Sequence, residues 1–96
     1  MKVRAVKKMK KVLRNKGFVV NPEKDHHEYY VLEVDGKLER INTCFSDGKK
    51  EYGRALMGEM KKQLKFENSK QLDDFFDCPM SKEDYVLLQR ENGNIQ

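Results

Sequence analysis

The sequence predicts an α+β protein in which a three-stranded antiparallel sheet packs on two helices, with one or two short helices at the C-terminal end. Three observations predict this class: two stretches with amphipathic helical spacing, a strand-turn-strand pattern between them, and helix-capping signals beyond residue 66. With 96 residues the chain can form one modest hydrophobic core. The predicted order is therefore α-β-β-β-α, followed by the short helices.

The first predicted helix spans residues 3–16 and ends before the stop signal Gly17. Its apolar residues recur at helical spacing, and they are Val6, Met9 and Leu13. Most other positions are Lys or Arg, so the helix gains from packing or from an anionic partner, because it lacks acids for pairing along its length. A short strand over Phe18–Val20 follows, closed by Asn21 and Pro22.

A β-hairpin is the clearest local prediction. Tyr29–Val34 is rich in β-branched and aromatic residues, and Asp35–Gly36 is a two-residue type I′ turn signal that leads into a strand over Leu38–Phe45. A tight turn places Val34 opposite Lys37 and fixes the remaining pairs. The predicted pairs farther from the turn are Val31 with Arg40, Tyr29 with Asn42, and His27 with Cys44.

This register also predicts which hairpin residues share a face of the sheet, because side chains alternate along a strand. The more apolar face should meet the helices, and it holds Tyr30, Leu32, Val34, Ile41, Thr43 and Phe45. The other face should be polar and partly aromatic, and it holds His27, Tyr29, Val31, Arg40, Asn42 and Cys44.

The second predicted helix follows a loop over residues 46–50. Its apolar residues recur at i+4 spacing, and they are Tyr52, Leu56, Met60 and Leu64. Lys49 and Lys50 near its N-terminus could hold a phosphate together with free backbone N–H groups, the alternative being ordinary surface lysines. Ser69 and Ser81 are predicted N-caps of the two short helices beyond it.

Charge changes along the chain, and we predict a domain over residues 1–66 with an acidic helical extension over residues 67–96 packed on it. Residues 1–24 hold nine Lys/Arg and one acid, residues 25–66 hold eight of each, and residues 67–96 hold three Lys/Arg and seven acids. The basic end suits a polyanion. The alternative is a solvated face that the acidic extension partly neutralises.

Several classes of protein are not favoured by the sequence. It has no Walker loop, dinucleotide fingerprint, nucleophile elbow or zinc-protease motif, and the adjacent His26 and His27 alternate faces in a strand, so we predict no cofactor and no metal. No apolar run is long enough for a bilayer, so we expect a cytoplasmic protein without a membrane partner. Cys44 and Cys78 are expected to be free thiols, with a disulfide as one alternative and a nucleophilic Cys44 beside His27 as another.

The run Lys24–Tyr30 holds both histidines, where a polar loop turns into a strand. Its pattern K-D-H-H-x-x-Y resembles the K-G-S-H-x-x-Y segment of HicA-type toxins, which are messenger-RNA interferases with a fold like that of double-stranded RNA-binding domains. Gly48–Glu51 resembles the G-K-E loop of that family, and residues 56–64 resemble its L-x-x-I-L-K-Q-x-x-L helix, with Lys62 and Gln63 kept. The resemblance covers about residues 3–66.

The resemblance implies an RNA-binding toxin that cleaves messenger RNA without a metal and is held inactive by a cognate HicB-like antitoxin. His27 matches the catalytic histidine and would act as general acid/base. His26 is the second choice, because Asp25-His26 replaces the Gly-Ser pair of the family. The residues expected to contact RNA or phosphate are Lys24, Tyr29, Arg40, Lys49 and Lys50. The alternatives are a non-catalytic double-stranded-RNA-binding module and a protein-interaction domain on the same fold.

Overall fold

The secondary structure confirms the predicted α+β class. The computed structural model describes residues 2–22, 27–46, 48–77 and 79–95, and of residues 21, 22, 27 and 46 the backbone only. The elements in chain order are β1 (Arg4–Ala5), α1 (Val6–Asn15), β2 (Phe18–Pro22), β3 (His27–Val34), β4 (Lys37–Ser46), β5 (Glu51–Tyr52), α2 (Arg54–Gln63), α3 (Ser69–Phe76) and α4 (Lys82–Glu91). The order α1-β2-β3-β4-α2 is the predicted α-β-β-β-α order, and α3 and α4 are the predicted C-terminal helices.

Three strands form one antiparallel sheet in the order β2-β3-β4, and the short strands β1 and β5 pair separately. Two predicted element boundaries were therefore wrong. The first helix begins at Val6 and not at residue 3, because Arg4 and Ala5 pair with Tyr52 and Glu51. Tyr52 accordingly belongs to β5, and α2 begins only at Arg54.

The β3–β4 hairpin has the predicted turn but only part of the predicted register. Asp35 and Gly36 have φ of +53° and +79°, as a type I′ turn requires, and Val34 pairs with Lys37. Beyond the pair of Glu33 with Leu38, a bulge shifts the register by two residues. The observed pairs beyond the bulge are Val31 with Asn42, Tyr29 with Cys44, and His27 with Ser46.

The bulge leaves the predicted faces of the sheet intact, because a shift of two residues preserves the alternation of side chains. The residues predicted for the apolar face are all buried, and they are Tyr30, Leu32, Val34, Ile41, Thr43 and Phe45. All of them except Thr43 belong to one hydrophobic core with residues of α1 and α2, namely Val6, Met9, Leu13, Met57 and Met60. The sheet therefore packs on α1 and α2 through a single face.

Residues of the C-terminal helices belong to the same core. Phe75 is at the centre of an aromatic cluster, with its ring centroid 4.9 Å from Tyr85, 5.5 Å from Phe66 and 6.2 Å from Phe18. The Tyr85 hydroxyl donates a 2.7 Å hydrogen bond to the carbonyl of Leu64 at the end of α2. This burial and these contacts attach α3 and α4 to both the sheet and α2.

Lys16, in the turn after α1, is a buried cation that attaches this turn to the C-terminal helices. Only 7% of the residue is exposed, and its Nζ donates to the carbonyls of Phe75 and Met80, the latter at 2.5 Å. The ammonium also lies 4.8 Å from the centre of the Phe75 ring. A positive charge at the C-terminal end of α3 is favourable, because the last carbonyls of a helix lack backbone partners.

We predict that Lys16→Met destabilises the protein by about 2–3 kcal/mol, because it leaves two carbonyls without their charged donor. Urea unfolding measures the change, and Lys11→Met is the matched control, since Lys11 lies on the exposed side of α1. Equal midpoints for the two variants would show that the Lys16 contacts do not stabilise the fold.

Candidate functional site

The structure places the predicted acid/base at the start of β3. The backbone of His27 opens this strand and pairs with Ser46, so the predicted pairing with Cys44 was wrong. The physical reason is the bulge in β4, which the turn sequence does not reveal. The predicted residues Lys24 and His26 lie outside the residues that the structure describes.

The bulge also increases the separation between two predicted site residues on the outer face of the sheet, Tyr29 and Arg40. Tyr29 is half-buried and pairs with Cys44, whose thiol is free, while Arg40 is exposed at the bulge. Arg40 is four residues from Cys44 along β4, which corresponds to about 13 Å. The structure therefore brings Tyr29 close to the start of β3 but leaves Arg40 well away from it. A nucleophilic Cys44 also loses the direct pairing with His27 that the register had suggested.

Lys49 and Lys50 lie beside the first turn of α1. The carbonyl of Lys50 accepts a 2.9 Å hydrogen bond from the backbone N–H of Val6, the first residue of that helix. The sequence-based expectation placed both lysines near the N-terminus of α2, and in the structure β5 and Gly53 lie between them and Arg54, the first residue of that helix. Both lysines are exposed.

The structure adds three lysines that the predicted site had left out. Lys7, Lys8 and Lys11 lie outside the apolar stripe of α1 and are exposed. The backbone hydrogen bond from Val6 to Lys50 places the segment between β4 and β5 at the start of α1, and we treat the exposed lysines of these two segments as one region. We call this region the basic surface, and its residues are Lys7, Lys8, Lys11, Lys49 and Lys50. Helical spacing alone could have identified its α1 members as the side opposite the core.

The acidic extension forms ion pairs with two other cations of the basic end, Arg4 and Lys2. The Arg4 guanidinium donates to Asp73 at 2.7 Å and to Asp77 at 2.9 Å, and Lys2 pairs with Asp77 at 3.1 Å. Hydrogen bonding to Arg4 lowers the pKa of Asp77 to about 2. In the described part of the chain no ion pair joins an acid to any member of the basic surface, although Lys8 lines one cavity with Glu51 and Asp77.

A second polar cluster connects α1 with β3, one residue after His27. The Tyr30 hydroxyl donates to Glu28 at 2.5 Å and accepts from Arg14 at 3.4 Å, and Lys10 Nζ is 3.2 Å from the same Glu28 oxygen. Burial, followed by the bond to Glu28, raises the pKa of Tyr30 to about 12, and the bond from Tyr30 lowers the pKa of Glu28. The sequence carried no signal for this cluster, because it depends on how α1 packs against the sheet.

Two negative findings concern metal binding and membranes. Within residues 2–22, 27–46, 48–77 and 79–95, no three His, Cys, Asp or Glu side chains lie close enough together to hold a metal ion. In the same residues no helix has the length and apolar character needed to cross a bilayer.

Comparisons with protein-family models, with curated proteins and with solved structures find no match to this chain. The resemblance to HicA-type toxins therefore rests on the motifs at Lys24–Tyr30, Gly48–Glu51 and residues 56–64. The placement of the charged side chains is an independent basis for a functional argument.

We predict that Asp77→Asn lowers the free energy of unfolding by about 1 kcal/mol at pH 7, since its ion pairs are partly screened by solvent. The stabilisation is present above the ordinary carboxyl pKa of 3.8 and is lost as the pH falls towards the pKa of about 2 in the folded protein. Unfolding curves from pH 7 to pH 2 should therefore converge for wild type and variant. Asp74→Asn is the control, because Asp74 forms only a surface pair with Lys70, worth about 0.3 kcal/mol. A deficit that persists at pH 2 would contradict this assignment.

Proposed function

We propose that the protein is a cytoplasmic HicA-like toxin that binds messenger RNA and cleaves it without a metal. The observation that carries the proposal is the basic surface, whose lysines form no ion pair within the described residues although the chain has an acidic extension. A run of exposed lysines neutralises phosphates and supplies salt-dependent affinity for RNA. The K-D-H-H-x-x-Y motif adds the catalytic element, since the strand that it leads into begins at His27.

In this proposal His27 is the general acid/base. Metal-independent cleavage of RNA requires a base that removes the proton of a 2′-hydroxyl and an acid that protonates the leaving oxygen. An imidazole with a pKa near neutrality can serve in either role, which is the chemical reason for choosing His27. Lys24 would bind the phosphate and stabilise its developing charge, and a HicB-like antitoxin would cover this region.

We predict that the triple variant Lys7→Gln, Lys8→Gln, Lys11→Gln binds RNA more weakly and with less salt dependence. Loss of three phosphate contacts should lower the slope of log affinity against log salt by about 2 for single-stranded RNA. The control is the triple variant Lys61→Gln, Lys62→Gln, Lys65→Gln, which removes the same charge at the end of α2. Identical slopes for the two variants would remove the basic surface from the RNA interface.

We further predict that His27→Ala abolishes growth arrest and lowers the rate of RNA cleavage by roughly 10²–10⁴-fold, the usual contribution of a positioned acid/base. His26→Ala is the matched control and should retain most activity. Cleavage is measured on purified protein with chelator present, and folding of each variant is checked by circular dichroism. Undiminished cleavage by the His27 variant would remove this residue from the mechanism.

The second candidate is a non-catalytic RNA-binding module. The basic surface supports it as well as it supports the toxin, because lysines can bind phosphates without a catalytic histidine. Double-stranded RNA is recognised largely by shape and through its phosphates and 2′-hydroxyls. Salt-dependent binding without cleavage by the wild-type protein would favour this candidate. Absence of RNA affinity at low salt would favour the third class, a protein-interaction domain.

A further inference from the structure

The Glu28 carboxylate contacts a hydroxyl donor and lies near two cations, which are the groups that bind anions in proteins. One of its oxygens accepts from the Tyr30 hydroxyl at 2.5 Å and faces the Lys10 ammonium at 3.2 Å. The Arg14 guanidinium donates to the Tyr30 hydroxyl, and its charge also helps to lower the pKa of Glu28. Two cations and a hydroxyl therefore surround a single carboxylate.

Two of the three groups that surround this carboxylate pack against the core, whereas Arg14 is exposed. Tyr30 is completely buried, and its hydroxyl contacts Glu28 and Arg14. The Lys10 ammonium lies 5.5 Å from the centre of the Phe45 ring, and Phe45 is the residue that pairs with Glu28 across the sheet. The Lys10 ammonium and the Tyr30 hydroxyl are thus preorganised by packing, which lowers the entropic cost of binding an anion.

Glu28 itself is the replaceable part of the cluster. Its side chain is 42% exposed, and an ion pair with this much solvent contact contributes little, about 1 kcal/mol or less. A phosphate group also forms strong charge-assisted hydrogen bonds with lysine and arginine, and it offers more acceptor oxygens than a carboxylate. An incoming phosphate can therefore displace Glu28 at a small cost.

We propose that Lys10, Arg14 and the Tyr30 hydroxyl form a phosphate-binding subsite, which Glu28 occupies in the free protein as an internal competitor. The assignment of a backbone phosphate of RNA as the occupant rests on the proposed function, whereas the anion site does not. Glu28 directly follows His27, so the subsite lies at the same end of β3 as the proposed acid/base. It is distinct from the basic surface, which involves other α1 residues.

The test compares Glu28→Gln with Glu33→Gln, which removes the same charge from the same strand outside the cluster. A glutamine at position 28 can still accept from Tyr30, so the fold should be retained, and circular dichroism checks this. The probes are a 12-nucleotide RNA with 2′-O-methyl groups, which prevent cleavage, and inorganic tripolyphosphate. We expect Glu28→Gln to bind both probes about three- to fivefold more tightly than Glu33→Gln, as removal of a competitor worth up to about 1 kcal/mol requires.

A second pair of variants tests the donors directly. Lys10→Gln should weaken tripolyphosphate binding more than Lys62→Gln, which removes an equal charge at the exposed end of α2, outside both the cluster and the basic surface. Equal affinities within both pairs of variants would overturn the subsite, even if the wild-type protein binds RNA. Tighter tripolyphosphate binding by Glu28→Gln without any RNA binding would support the subsite and overturn the proposed function.

Discussion

The packing of Phe75 is the constraint on which the rest of the structure depends. Its ring contacts Phe18 from the sheet, Phe66 after α2 and Tyr85 from α4, so residues far apart in the chain share one aromatic cluster. A 96-residue chain buries only a limited apolar area, and large aromatic side chains supply much of it. The C-terminal helices are consequently part of the core around which the sheet and α2 are arranged.

This packing also explains how helix ends are satisfied inside the protein. Lys16 donates to the carbonyls after and within α3, and Tyr85 donates to the carbonyl of Leu64 at the end of α2. In both cases a side chain from one segment donates to backbone carbonyls at or near the end of a helix in another segment, because buried carbonyls require donors. The same arrangement brings Asp73 and Asp77 to Arg4 at the start of the chain. Two acids of the extension are used there, and in the described part of the chain the lysines of the basic surface form no ion pair.

The sequence was sufficient where local rules decide the structure. The Asp35–Gly36 turn and the buried face of the hairpin were predicted correctly, because turn chemistry and side-chain alternation are local properties. The capping box of α4 was equally local, since Ser81 and Asp84 bond to each other's backbone. The apolar face was predicted correctly even though the register was not, because the bulge shifts the pairing by an even number of residues.

Other features required information that is absent from any single segment. The turn sequence does not reveal the bulge, and the pairing of β1 with β5 joins two residues with two others more than forty positions away. Without that pairing, the hydrogen bond between Lys50 and the start of α1 could not be predicted. The cluster of Glu28 and Tyr30 depends on how α1 lies against β3. For the candidate site, the sequence predicted His27 and the strand that begins there. The neighbouring cluster of Glu28, Lys10 and Arg14 could be identified only from the fold.

The central claim is that RNA lies across α1 and the start of β3, and mapping of amide chemical shifts tests it most directly. The protein, labelled with ¹⁵N, would be titrated with a 2′-O-methyl RNA that cannot be cleaved. The account predicts that the largest shifts occur in α1, at Lys49 and Lys50, and over Glu28–Tyr30, with little change in α3 and α4. Shifts concentrated in α3 and α4, or no shifts at low salt, would contradict it.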